Sequence, residues 1–105
     1  MLARGGGTGR TRVALAAALA DRYDGAVSPT VFREAGFRFL FFSREEPRAH
    51  VHALHARGEA KFWLAPTVEL AQNFGLSSRL VMAALRLVRE HEDEIRRAWE
   101  EHFGR

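Results

Sequence analysis

The chain has 105 residues, 47% of them hydrophobic, with 16 basic and 13 acidic side chains for a net charge of +3. That length holds one small domain rather than two cores, and the apolar content is too high for a disordered chain. No apolar run reaches the about 20 residues of a membrane span, and the absence of cysteine excludes disulfides, thiolate metal sites and a cysteine nucleophile.

The basic balance is unevenly spread. Arg4, Arg10, Arg12 and Arg22 outnumber Asp21 and Asp24, so two of the three surplus charges lie before Ser28. Gly5-Gly6-Gly7-Thr8-Gly9-Arg10-Thr11 approximates a phosphate-binding loop, but Arg10 stands where that loop needs Lys and no strand precedes it. Val13 to Ala20 imitates a secretory signal, yet the apolar stretch is short and mostly Ala. Residues 1–28 therefore read as an N-terminal extension, a flexible tail and a short Ala-rich helix ending at Asp24-Gly25. Residues 29–105 read as the domain.

Pro29 to Arg33 and Phe37 to Ser43 are the first two expected strands, joined by a turn at Glu34-Ala35-Gly36. Phe37, Phe39 and Phe41 alternate with Arg38, Leu40 and Phe42, the period of a strand. Arg44-Glu45-Glu46-Pro47 reads as a polar turn, and Arg48 to Leu54 as the next strand. After Ala56-Arg57-Gly58, the residues Glu59, Lys61 and Trp63 alternate with Ala60, Phe62 and Leu64 until Pro66. Val68 to Ala71 fits either a short strand or a first helical turn, and Asn73-Phe74-Gly75 fits a turn.

From Ser77 the period lengthens. Leu80, Ala84, Leu87, Val88, His91, Ile95, Ala98, Trp99 and His102 form one helical stripe, capped by Ser77 or Ser78 and ended by Gly104. Six arginines face six carboxylates from Arg79 to Arg105, a balanced solvated surface with no basic stripe for a DNA groove. The pattern predicts an α+β domain: an antiparallel β-meander of three to five strands packed against one long C-terminal α-helix. Such a sheet has one face under the helix and one face free.

His50-Val51-His52 is the sharpest chemical feature. On a strand both imidazoles point to one side, about 7 Å apart. That spacing suits an acid and a base flanking a phosphodiester, or two ligands of one metal with Glu59 or Glu69 as a third. Arg38, Glu59 and Lys61 lie on strands whose other side is apolar, so they share the expected free face. There Arg38, Arg48 and Lys61 are candidate phosphate-binding residues and Trp63 a stacking surface for a base. His91 and His102, on the helical stripe, read as core or rim residues. A pair of polar strand residues held by its neighbours explains His50 and His52 equally well.

Ser-Pro-Thr-Val-Phe-Arg-Glu, Phe-Arg-Phe-Leu-Phe-Phe-Ser, Glu-Pro-Arg-Ala-His-Val-His, Gly-Glu-Ala-Lys-Phe-Trp-Leu-Ala-Pro and the closing Glu-His, Ala-Trp and His-Phe-Gly follow in order. Together, from about Pro29 to Gly104, they resemble the small bacterial family of domain of unknown function 4160. Members of that family begin with Met directly before Pro-Thr-Val, which agrees with an extension over residues 1–28. The family pattern falls on Pro47, His50, His52, Gly58, Glu59, Lys61, Trp63, Pro66 and Trp99. Ala53, Leu54 and His55 depart from it after the second histidine. The resemblance implies no established activity, and a gene layout like that of a toxin–antitoxin pair.

Three functions follow as expectations. One is a cytoplasmic, non-catalytic module binding a small protein encoded nearby, or RNA, through the sheet face and edges. Another is a metal-independent RNA-cleaving toxin, with His50, His52, Lys61 and Glu59 catalytic and Arg38 and Arg48 on phosphate. The third is a metal-dependent enzyme. No cofactor, resident metal, membrane or sequence-specific DNA contact is expected.

Overall fold

The computed structural model describes residues 28–42 and 47–104. The phosphate-loop, signal and helix readings of residues 1–27 lie outside the described residues, as does most of the turn at residues 44–47. Five strands run in chain order across one antiparallel sheet: β1 (Phe32–Glu34), β2 (Phe37–Leu40), β3 (His50–His55), β4 (Gly58–Trp63) and β5 (Glu69–Phe74). Two helices follow, α1 (Ser78–Glu90) and α2 (Glu92–Phe103). The ambiguous stretch after Val68 is thus the fifth strand, and Asn73 and Phe74 belong to it rather than to a turn.

Local chemistry sets each connection. Ala35 and Gly36 both take positive φ, 53° and 82°, the handedness that closes a two-residue hairpin between right-twisted strands. Gly58 is required by proximity, since a Cβ there would fall 2.2 Å from the Phe74 carbonyl oxygen. After β5, the Asn73 side chain accepts from Leu76 N–H at 3.0 Å and donates to its carbonyl at 2.9 Å, closing the turn into α1. Ser77 Oγ accepts from Leu80 N–H at 3.2 Å as the N-cap. Gly104, at φ 73°, ends α2 by donating to the Glu100 carbonyl.

The expected single helix is two. No proline or glycine interrupts residues 78–103, so nothing in the local sequence marks the break. It falls at His91, whose ring stacks on Phe32 with centroids 3.9 Å apart and bonds to Glu34 from the first hairpin. A tertiary contact overrides helical propensity here. Glu92, Asp93 and Glu94 then open α2, where carboxylates favour the helix N-terminus.

The core lies between the helices and one sheet face. Phe37, Phe39, Phe41, Val51, Ala53, Ala60, Phe62 and Leu64 meet Val81, Ala84, Leu87, Val88, Ile95 and Trp99, all buried. Both periodicities read from the sequence, two on the strands and about 3.6 on the helices, are realised in this one layer.

Candidate functional site

The residues singled out on β3 and β4 come together on the other face. Across that ladder His52 pairs with Lys61, His50 with Trp63 and Leu54 with Glu59, while Arg38 and Leu40 on β2 pair with Leu54 and His52. Directly paired residues leave the sheet on the same side.

That face is not free over its centre, which corrects the expectation. His50 is 0% exposed, His52 3%, Lys61 5% and Glu59 6%. Apolar and aromatic residues share that face with them. Leu40, Phe42 and Leu54 form a second buried cluster, and the Phe42 ring sits 4.1 Å from that of His52. Alternation put Leu40 and Phe42 on the polar side, and two large apolar residues there seek burial as strongly as those on the core side.

Burial obliges the polar atoms to find partners. His52 Nδ1 donates to Glu59 Oε2 at 3.2 Å, linking the two strands through side chains. His50 Nδ1 donates to the Arg48 carbonyl at 2.6 Å, its Nε2 is buried, and its ring packs 5.2 Å from both His52 and Trp99. The cations are engaged with the chain as well. Arg38 Nε donates to Thr30 Oγ1 at 2.6 Å, and Arg48 Nε donates to the Ala65 carbonyl at 3.0 Å. Arg48 and Lys61 both lie over Trp63, 4.0 and 4.6 Å from its ring centroid, so cation–π contacts occupy the indole expected to stack a base. General acid–base work requires hydrogen-bond reach to a substrate. Imidazoles held inside the fold by a carboxylate and a main-chain carbonyl lie beneath the surface instead.

Two other features carry exposed chemistry. At the break between the helices, His91 Nδ1 donates to Glu94 Oε1 at 2.9 Å and Nε2 to Glu34 Oε1 at 3.0 Å. The His91 pKa is raised, chiefly by the Glu94 hydrogen bond and further by Glu34, with partial burial working against them. The helical stripe offers His91 only as a core or rim residue and gives no sign of its partners. Glu34 is 57 positions away, and only the hairpin that returns β1 to the helix junction joins them. By contrast His55, beside Phe37 at 4.7 Å, has a lowered pKa from burial and then from Arg57.

The second feature is β5, a sheet edge among the described residues. Leu70 is 41% and Phe74 53% exposed there, with Met82 of α1 60% exposed. Phe74 pairs with Glu59 and Leu70 with Phe62, across a register shift at Lys61/Phe62. The two apolar side chains of β5 therefore stand on opposite faces of the sheet.

A five-strand antiparallel meander, two C-terminal helices and a buried polar row opposite them define a small α+β domain. The chain belongs to the family described as Domain of unknown function (DUF4160), whose model matches residues 36–100. The match takes in β2 to β5, α1 and most of α2, and with them His50, His52, Glu59, Lys61 and Trp99. No curated protein and no solved structure matches the chain. Among the described residues no helix is long and apolar enough to cross a membrane.

Proposed function

We propose that this domain is a non-catalytic protein-interaction module of the cytoplasm, one half of a toxin–antitoxin-like pair, that docks an extended segment of its partner along β5. The observation that carries this reading is the exposed six-residue edge with Leu70 and Phe74 on its two sides. An added strand gains main-chain hydrogen bonds from such an edge, and apolar side chains on both faces supply specificity. Charge favours protein over RNA, because Lys61 is buried and Arg38 and Arg48 already bond to Thr30 and to the Ala65 carbonyl. Burial of His50 and His52 likewise argues against RNA cleavage by that pair and against a metal enzyme built on it.

The test uses the partner this reading requires, a small protein encoded nearby. Calorimetric titration is expected to give a 1:1 complex, and Leu70→Lys with Phe74→Lys to weaken it at least about 100-fold. Both positions are exposed, so the double variant is expected to fold normally. A complex that forms equally well with the double variant, or no complex at all, contradicts docking at β5.

A further inference from the structure

We propose that the junction of α1, α2 and the β1–β2 hairpin is a binding site for a divalent ion of the Zn2+ class, ligated by His91 Nε2 and the carboxylates of Glu34 and Glu90. One ligand atom from each of these three residues lies within 4.8 Å of the other two. They come from the end of β1, the last turn of α1 and the helix break, so the fold assembles the set from separate elements.

The histidine is prepared for this role in two ways. Glu94 Oε1 accepts a hydrogen bond from Nδ1–H at 2.9 Å, which fixes the ring's orientation and directs Nε2 to the other side. A carboxylate bonded to the distal nitrogen of a metal-binding histidine is the recurrent outer partner that holds the tautomer and raises basicity. Phe32 adds a second restraint, stacked on the imidazole at 3.9 Å with 22° between planes. Rotation of the ring out of its plane loses the stack, and a flip within that plane loses the hydrogen bond to Glu94. A half-buried imidazole held in this way separates the set from an ordinary patch of surface carboxylates.

Distances fit an ion of this size. Zinc–nitrogen and zinc–oxygen bonds of about 2.0–2.2 Å place tetrahedral ligand atoms about 3.3 Å apart. His91 Nε2 and Glu34 Oε1 are 3.0 Å apart, close to that separation, and the exposed Glu34 carboxylate turns about its side-chain bonds to admit the ion. Glu90 closes the set by side-chain rotation, its side chain being 55% exposed. Arg86 Nε stands 3.9 Å from Glu90 Oε2 in an exposed i,i+4 pair that is worth little and yields to a dication. One imidazole and two carboxylates suit Zn2+ better than Mg2+, which keeps its waters and prefers oxygen alone. Three protein ligands leave a fourth position for water. The bound ion would clamp the first hairpin to the helix junction.

The experiment titrates the full-length, tag-free protein, stripped of metal and held in a non-chelating buffer, with ZnCl2 by calorimetry. One ion per chain is expected, lost in His91→Gln and weakened at least about tenfold in Glu90→Gln and in Glu94→Gln. Far-UV circular dichroism checks that each variant is folded, and Glu90→Gln alters only an exposed side chain. Absence of Zn2+ binding, or binding that His91→Gln and Glu90→Gln leave unchanged, overturns the assignment.

Discussion

Replacing Trp99 with alanine is expected to remove about 4 kcal/mol of stability, a large share of the about 5–15 kcal/mol that a small domain possesses. The indole is 4% exposed and meets Phe41 edge-on at 5.3 Å, Phe103 at 4.1 Å and His50 at 5.2 Å. It therefore ties α2 to the residue that follows β2 and to the start of β3 at once. No small side chain restores those contacts, and a rigid sheet cannot collapse into the void. Trp99→Phe keeps an aromatic ring in place and is expected to cost about half as much. Urea unfolding followed by circular dichroism reads both values. A Trp99→Ala midpoint equal to that of the wild type would mean that α2 is held by something else.

The second large effect falls on the buried polar row. Glu59→Ala is expected to cost about 3 kcal/mol and to lower the melting temperature by about 15 °C. The substitution leaves the His52 Nδ1–H without its acceptor inside the fold, where the pair is 3.2 Å apart and both side chains are more than nine-tenths buried. Lys61, two residues along the same strand and on the same face, loses a nearby carboxylate as well. Replacing both partners, His52→Leu with Glu59→Met, removes the need for a partner and is expected to recover more than half of the loss. Thermal unfolding of the two single variants and the double variant gives the coupling between them. If Glu59→Ala leaves the melting temperature unchanged, the row does not hold β3 to β4.

How far the sequence carried this account depends on the range of the interaction. Alternation of Phe37, Phe39 and Phe41 with Arg38, Leu40 and Phe42 assigned the two sheet faces, because side-chain direction in a strand is purely local. Ser77 and Gly104 marked helix ends for the same reason. His50, His52, Glu59 and Lys61 were recognised as neighbours from strand parity alone. Their burial was not foreseen. Polar residues on one side of a strand usually signal water, and here Leu40, Phe42 and Leu54 share that side and are buried with them. The break at His91 was equally hidden, because its cause is Glu34 and Phe32 on the first hairpin. For β5, the register shift beside Lys61 places Leu70 and Gln72 on different faces although they are two residues apart, so simple alternation could not identify the strand.

These elements give the domain a division of labour. The His-Val-His strand, expected to be chemical, contributes a buried link between β3 and β4, and two of the three large exposed apolar residues among the described residues, Leu70 and Phe74, lie on β5. Hydrogen–deuterium exchange of the domain, alone and with the proposed partner, tests that division most directly. The account predicts new protection concentrated in Glu69–Phe74 on complex formation, with His50–His55 already protected in the free chain and unchanged. Protection that appears instead over His50–His55, with β5 exchanging as before, contradicts it.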